Sequence, residues 1–438
     1  MIGRVRTLAL AAIASVMVSA CGGSASQSAS PTSPQPTTPP PTATPTQAAT
    51  PQPTPEVTST PAPATAAPGT GTFKSTGSMI EARNGQTATR LTNGKVLIVG
   101  GETGTEGEKI AELYDPKTGQ FTKTGSLITA REQHTATLLK DGRVLIAGGL
   151  STAGIALNAG TTQTRVREYS RLPEGRPTTP KSQHLSTDAW ASAEIYDPKT
   201  GKFTATGSMK VARSGHVATL LPNGRVLVAG GEDGSMNALA SAEIYNPKTG
   251  KFSAASPLHE ARSYADSLVL SDGRLLVAGG SFLKDGNLQP LSDAEIYDPK
   301  TGKFGQPMPF SASVTSMTLL ADGRILALVD SGSAEIFDPA SLKSTVAGHT
   351  VAPRIGPALT LLTSGKVLVT GGEAPESNPT ESLVSAEIYD PATGRFTLTS
   401  SMTTSRLGQM TIVLKNGLVL ILGGDTFGLT AELFTPGS

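Results

Sequence analysis

The sequence has only one cysteine, Cys21, so no disulfide can form within the chain and its stability must come from packing and hydrogen bonds. It also has little net charge, because 36 lysines and arginines face 35 aspartates and glutamates. This balance provides no global field that would attract nucleic acid. Glycine (48) and proline (32) are abundant instead. So many turn residues favour short strands over long helices.

The first residues have the features of a targeting segment rather than of a folded domain. Two arginines precede an apolar run from Leu8 to Val18, which is shorter than the roughly 20 residues that span a bilayer. The run ends in Val-Ser-Ala-Cys at Cys21, which resembles a bacterial lipobox. The resemblance implies that residues 1–20 are a lipoprotein signal peptide and that Cys21 is the lipidation site. An ordinary secretory signal with a chance cysteine is the alternative.

The segment that follows, residues 21–69, consists mainly of proline, threonine, serine and alanine, and Glu56 is its only charged residue. Such a composition cannot bury enough apolar surface to offset the entropy of ordering, so we expect a disordered stalk after the lipidated cysteine. At about 3.1 Å per residue, a proline-rich chain of this length extends roughly 100 Å or more. We therefore expect a lipid-anchored, extracytoplasmic protein of the bacterial cell envelope, in the periplasm or on the cell surface.

A pattern of two markers recurs from residue 70 to the end of the chain. The first is an Asn-Gly, Asp-Gly or Ser-Gly pair between apolar residues, which is typical of a tight hairpin turn. The second is Glu-Ile/Leu-Tyr/Phe, usually followed by Asp-Pro, where a second turn closes. The seven turn glycines are at positions 94, 142, 224, 273, 323, 365 and 417, and the seven glutamates at 112, 194, 243, 295, 335, 387 and 432.

Each unit therefore contains four antiparallel strands, as in one blade of a β-propeller. The double glycine after the second strand and the aromatic residue in the third resemble Kelch repeats and the galactose-oxidase-like propellers. The resemblance covers about 71–436. We predict an all-β, seven-bladed propeller over residues 70–438. A six-bladed ring is the alternative, because the fifth unit has Leu328-Val329-Asp330 in place of the double glycine.

The last repeat ends at Phe434 with no room for its outer strand, while an orphan copy of that strand surrounds Phe73. We predict that this N-terminal strand closes the last blade.

Strand alternation sends both hairpin turns of each repeat to one face of the propeller. The loops between second and third strands, and those between blades, lie on the other face, termed here the variable-loop face. Loops that differ between repeats make this face the expected binding surface. An arginine precedes the first strand in six repeats and is replaced by Ala312 in the fifth. The six are Arg83, Arg131, Arg213, Arg262, Arg354 and Arg406.

Two roles for these arginines stay open. They are candidate ligand contacts for carboxylate, phosphate or sulfate, and the Kelch resemblance implies partner contacts at such positions. Alternatively, they form a scaffold by pairing with the repeated glutamates.

No residue pattern in the repeats predicts a metal site, a cofactor or a catalytic residue. His134 and His216 share one repeat position, but zinc and copper sites usually need three or four ligands, so packing is the better interpretation. Copper-radical oxidases of this fold need a Cys–Tyr crosslink and histidine ligands, whereas Cys21 lies outside the repeats. The paired glycines have no helix after them, which argues against a phosphate-binding loop.

The second repeat contains an insertion at about 150–192, far longer than ordinary loops. It is basic and includes the only tryptophan. A recognition arm for an acidic glycan or protein and a disordered insertion are equally compatible with this composition. The candidate ligand-binding residues in it are Arg165, Arg167, Arg171 and Trp190.

The sequence thus predicts a monomeric, membrane-anchored module that binds protein or carbohydrate on its variable-loop face. A carbohydrate-active enzyme, such as a sugar epimerase or mutarotase using the channel mouth, is one alternative. A structural component of the envelope is another.

Overall fold

The structure is a computed structural model, and it describes residues 70–102, 108–151, 188–284, 287–330, 332–375, 381–426 and 428–437. The predicted signal peptide, Cys21 and the stalk lie outside this range, as do Arg165, Arg167 and Arg171. Within the described range, no helix is both long and apolar enough to cross a membrane.

Seven antiparallel sheets of four main strands form seven blades, confirming the predicted all-β propeller and excluding the six-bladed alternative. Strand β1 (Gly71–Ser75) precedes the first blade. Blade 1 contains β2 (Thr87–Arg90), β3 (Val96–Val99), β4 (Ala111–Asp115) and β5 (Gln120–Lys123). Blade 2 contains β6 (Thr135–Leu138), β7 (Val144–Ala147), β10 (Ala193–Asp197) and β11 (Lys202–Ala205), with a small hairpin of β8 (Leu150–Ser151) and β9 (Asp188–Ala189). Blade 3 contains β12 (Val217–Leu220), β13 (Val226–Ala229), β14 (Ala242–Asn246) and β15 (Lys251–Ala255).

The remaining four blades follow the same order. Blade 4 contains β16 (Asp266–Val269), β17 (Leu275–Ala278), β20 (Asp293–Asp298), β21 (Lys303–Phe304) and β22 (Met308–Pro309), with a hairpin of β18 (Ser281–Lys284) and β19 (Asn287–Pro290). Blade 5 contains β23 (Val314–Leu319), β24 (Ile325–Val329), β25 (Ser333–Asp338) and β26 (Lys343–His349). Blade 6 contains β27 (Ala358–Leu361), β28 (Val367–Thr370), β29 (Ala386–Asp390) and β30 (Arg395–Leu398). Blade 7 contains β31 (Met410–Val413), β32 (Val419–Leu422), β33 (Ala431–Pro436) and the returning β1.

The hydrophobic core lies between the blades. The first strand of each blade neighbours the first strand of the next, and β2 neighbours β31, so the ring is closed. Each second strand is buried along its whole length and is apolar except for Thr370 in blade 6, as a strand covered on both faces must be. A tyrosine on the third strand packs on a phenylalanine of the fourth in five blades; in blade 1, the Tyr114 and Phe121 ring centroids are 4.9 Å apart.

The N-terminal strand closes blade 7, as the sequence predicts. Strand β1 pairs antiparallel with β33 from Gly71 opposite Pro436 to Ser75 opposite Glu432. The ring centroids of Phe73 and Phe434 are 4.8 Å apart, which reproduces the aromatic contact of the other blades. The first and last segments of the propeller are therefore held together in one sheet.

Candidate functional site

The six repeated arginines are buried inside the blades. Their side chains have 0–1% of their surface exposed, and each forms an ion pair with the glutamate on the third strand of its own blade. In blade 6, Arg354 Nη2 donates to Glu387 Oε1 at 2.5 Å, and Nη1 donates to the Gly371 carbonyl at 2.8 Å. Glu387 also accepts the backbone N–H groups of Val351 and Ala352 at 2.7 and 3.0 Å.

This arrangement supports the scaffold role of the arginines and not the expectation that they contact a ligand. Each guanidinium joins the start of the first strand to the ends of the second and third strands, and solvent does not reach it. A ligand would have to displace a buried carboxylate to gain access. Burial lowers the pKa of Arg354, and the charge of Glu387 opposes that change.

Blade 5 shows how the glutamate is satisfied when its arginine is missing. Glu335 is 3% exposed, and position 312 is alanine. The Ser311 backbone N–H donates to its carboxylate at 3.0 Å, and the Ser311 and Ser344 hydroxyls donate to it as well. Two hydroxyl groups thus take the place of the guanidinium.

His134 and His216 lie buried between successive blades. Their Nε2 atoms are 3.0 Å from Thr87 Oγ1 and 2.9 Å from Thr135 Oγ1, respectively, on the preceding blade. Burial, helped by the charge of Arg131, lowers the pKa of His134 to about 3, so this imidazole is neutral at physiological pH. These contacts support the packing interpretation. In the described part of the chain, no group of three or more His, Cys, Asp or Glu side chains is placed to hold a metal ion.

The channel mouth on the variable-loop face is lined by the residue two positions after each repeated arginine. This position requires a positive φ: four blades have glycine there, but Gln133 has a φ of 52° and Tyr264 a φ of 55°. Gln133 N–H donates to the carbonyl of Gly85 at 3.0 Å, and Tyr264 N–H donates to that of Gly215 at 2.8 Å. A non-glycine residue in this conformation costs about 1–3 kcal/mol and often marks a functional site.

The side chain of Tyr264 bridges three blades across the mouth. Its ring lies over Gly215, and its hydroxyl is 2.6 Å from Gln133 Oε1 and 2.9 Å from Glu232 Oε1. A phenol has one proton and can donate only one of these bonds. The second bond therefore needs a protonated Glu232 or a Gln133 amide turned so that its nitrogen donates. Burial raises the pKa of Glu232, which favours the protonated carboxyl.

A second acidic group lies beside this bridge, between blades 1 and 2. Glu132 is 7% exposed, and its Oε2 atom is 3.3 Å from the position that a Cβ atom would take on Gly85. Burial and the negative charge of Glu102 raise the pKa of Glu132 to about 8. Burial also raises the pKa of Glu102. At neutral pH the Glu102–Glu132 pair therefore keeps a proton on Glu132. We call Glu102, Glu132, Gln133, Glu232 and Tyr264 the mouth cluster.

The sequence predicts the variable-loop face as the binding surface but does not single out the mouth cluster on it. The sequence nevertheless contains a signal for acidic groups at the mouth. The residue after the double glycine is acidic in four repeats, and the residue after the repeated arginine is acidic only in the second repeat, where it is Glu132. The four are Glu102, Glu232, Glu373 and Asp425. The arginines repeat regularly, and a residue that recurs in nearly every blade serves the structure common to all blades.

Trp190 lies at the base of the long insertion, near the boundary of blades 2 and 3. Its backbone N–H donates to the Gly149 carbonyl at 2.8 Å, and its own carbonyl accepts from the Arg213 N–H at 3.2 Å. The indole is partly buried, and its Nε1 has no hydrogen-bond partner within the described structure. Its role as a ligand contact remains a proposal.

Comparison with known proteins agrees with this fold. Residues 213–259, which span blade 3, match the Kelch motif. Blade 3 of the seven-bladed propeller therefore carries a Kelch motif. A solved fungal alcohol oxidase of the AA5 family, in complex with copper, is similar to this propeller with 16% identity and a TM-score of 0.61, covering 84% of this chain and 76% of that one. The motif and the seven blades fit the Kelch-repeat resemblance of the sequence. No curated protein matches the sequence.

Among the described residues of the propeller, no group of three or more His, Cys, Asp or Glu side chains is placed to hold a metal such as the copper of the fungal oxidase. The only cysteine, Cys21, precedes the propeller in sequence. His134 and His216 bond threonines at separate blade boundaries. The likeness to the oxidase therefore extends to the fold alone.

Proposed function

We propose that this chain is a membrane-anchored, extracytoplasmic Kelch propeller that binds carbohydrate at its channel mouth. The anchor rests on the lipobox-like sequence at Cys21. The observation that carries the binding role is the mouth cluster, in which two non-glycine residues at positive φ bring a phenol and an amide together with the buried Glu232 carboxyl. Natural proteins keep such strain where the resulting arrangement has a use.

The chemistry of the mouth cluster suits a carbohydrate better than a protein surface. Carboxyl, amide and phenol groups both donate and accept hydrogen bonds, as sugar hydroxyls require. Backbone hydrogen bonds of 2.8–3.1 Å between residues of neighbouring blades keep this side of the mouth narrow, which favours a small group or the end of a chain. Gly408 faces open space, so the mouth is accessible from the blade 7 side.

A second candidate function is an enzyme acting on the same sugar, such as an epimerase or a mutarotase. The observation in its favour is Glu132, a buried carboxyl whose pKa of about 8 keeps it protonated beside Glu102. A proton donor with a pKa near the operating pH is suited to general acid catalysis.

The test is a glycan array probed with the full chain and two variants. Tyr264→Phe removes the hydroxyl that joins Gln133 and Glu232, and we expect it to weaken binding about tenfold, as the loss of one or two buried hydrogen bonds predicts. The control is Glu260→Gln, which removes an exposed carboxylate from the same face and should leave binding unchanged.

An array that stays blank with the folded chain would contradict the binding role and favour a structural component of the envelope. Equal binding by wild type and Tyr264→Phe would place the ligand elsewhere. Release of an altered sugar would favour the enzyme.

A further inference from the structure

We propose that the carbohydrate held at the mouth is an amino sugar, whose ammonium group lies between Glu102 and Glu132. This inference rests on the proposed function and specifies its ligand class.

The first observation is a buried carboxyl that lacks a partner. Glu132 is 7% exposed, and within the described residues no hydrogen bond reaches its carboxyl oxygens. The group is directed over Gly85 at the mouth, where Oε2 lies 3.3 Å from the position of an added Cβ. The Glu132 oxygens are not among the fully enclosed atoms, so a ligand at the mouth can reach them and supply the hydrogen-bond donors that the described residues do not.

The second observation is the absence of a countercharge among the described residues around this pair. Arg83 and Arg131 are close in sequence, but their guanidiniums point into the blades and bind Glu112 and Glu194. The Gly101 N–H donates to the Arg131 carbonyl at 3.0 Å, so Glu102 and Glu132, which follow these two residues, are neighbours. Of the described charged groups, only Glu102 affects the pKa of Glu132, and it raises that pKa in the same direction as burial does. A bound cation would take the place of the proton that the pair now shares.

The neighbouring groups indicate which cation fits. Gln133 and the Tyr264 phenol are neutral hydrogen-bonding groups, and Asn84 presents an exposed amide in the same region. They suit hydroxyls, while the carboxyl pair suits an ammonium with its three donors. Ca²⁺ takes six to eight oxygen ligands, and no group of three or more acidic or histidine side chains in the described chain is placed to hold a metal. A ligand with one ammonium and several hydroxyls is an amino sugar.

The experiment is calorimetric titration of the full chain at pH 6, where the sugar amines are ammonium groups, with a β-1,4-linked glucosamine oligomer and with its N-acetylated counterpart, which has no charge. We expect the glucosamine oligomer to bind at least tenfold more tightly. We also expect its binding to release protons, seen as a heat that changes with the ionisation enthalpy of the buffer.

Glu132→Gln keeps the shape of the protonated carboxyl, so the variant should fold. The Glu132→Gln variant should abolish both the tenfold preference and the proton release. Glu102→Gln, which removes the other carboxyl of the pair, should do the same. Glu260→Gln is the matched control and should preserve both.

The outcomes separate this inference from the proposed function. Equal binding of the two oligomers, unaffected by Glu132→Gln, overturns the amino sugar but leaves carbohydrate binding intact. If neither oligomer binds while other glycans do on the array, the amino sugar is again overturned. Tighter binding of a lysine peptide, or of CaCl₂ alone, with loss in Glu132→Gln, replaces the amino sugar by a protein or a metal ligand. A blank array contradicts the proposed function itself.

Discussion

Replacing Arg354 by alanine should lower the free energy of unfolding by about 3–5 kcal/mol, because it leaves Glu387 as a buried charge without its partner. Both side chains are fully buried, and the guanidinium also holds the Gly371 and Ser385 carbonyls. The loss therefore removes several hydrogen bonds as well as the ion pair. The midpoint of thermal unfolding measures this effect.

Lys366→Ala is the matched control in the same blade. Lys366 pairs with Asp390 at 3.3 Å, but about half of its side chain is exposed, so its loss should cost no more than about 1 kcal/mol. Blade 5 suggests a partial rescue, since Ser311 there donates a hydroxyl to the unpaired glutamate. Adding Val351→Ser, at the corresponding position, to Arg354→Ala should recover part of the stability. A midpoint unchanged by Arg354→Ala would contradict the scaffold role.

Deleting residues 70–78 should lower the midpoint of thermal unfolding by many degrees and promote aggregation. The deletion removes β1, exposes the unpaired edge of β33 and uncovers Phe434, which is fully buried against Phe73. An exposed strand edge is a template for pairing with other chains. The ring would also lose the sheet that joins its two ends.

The control deletion, residues 61–69, has the same length and falls in the proline-rich segment before the propeller. It should leave the midpoint unchanged. Closure through β1 would be contradicted if both deletions melted at the same temperature as the full chain.

The sequence was sufficient to predict the fold because the same sequence markers recur in every blade of the propeller. Seven Asn/Asp/Ser-Gly turns and seven Glu-Ile/Leu-Tyr/Phe strands determine seven blades, and the orphan strand around Phe73 has one place to pair. Even the weak fifth repeat forms a complete blade, although a β-bulge interrupts its first strand between Val314 and Ser316.

The mouth cluster was not predictable in the same way, because its members are exceptions to the repeat. Tyr264 and Gln133 are 131 residues apart and meet across an intervening blade. Their contact depends on the glycine at position 215, which leaves room for the tyrosine ring. A usable signal was the replacement of glycine by Gln133 and Tyr264 at a position that other repeats keep for positive φ. In contrast, each of the repeated arginines forms an ion pair with the repeated glutamate of its own blade.

Hydrogen exchange of the full chain, with and without saturating glucosamine oligomer, tests most directly whether the ligand binds at the mouth. We predict slower exchange in peptides covering 131–135 and 262–266, which carry Glu132, Gln133 and Tyr264 of the mouth cluster, and no change at the hairpin turns 140–143 and 222–225 on the opposite face. Slower exchange at those turns, with none at the mouth, would contradict the account.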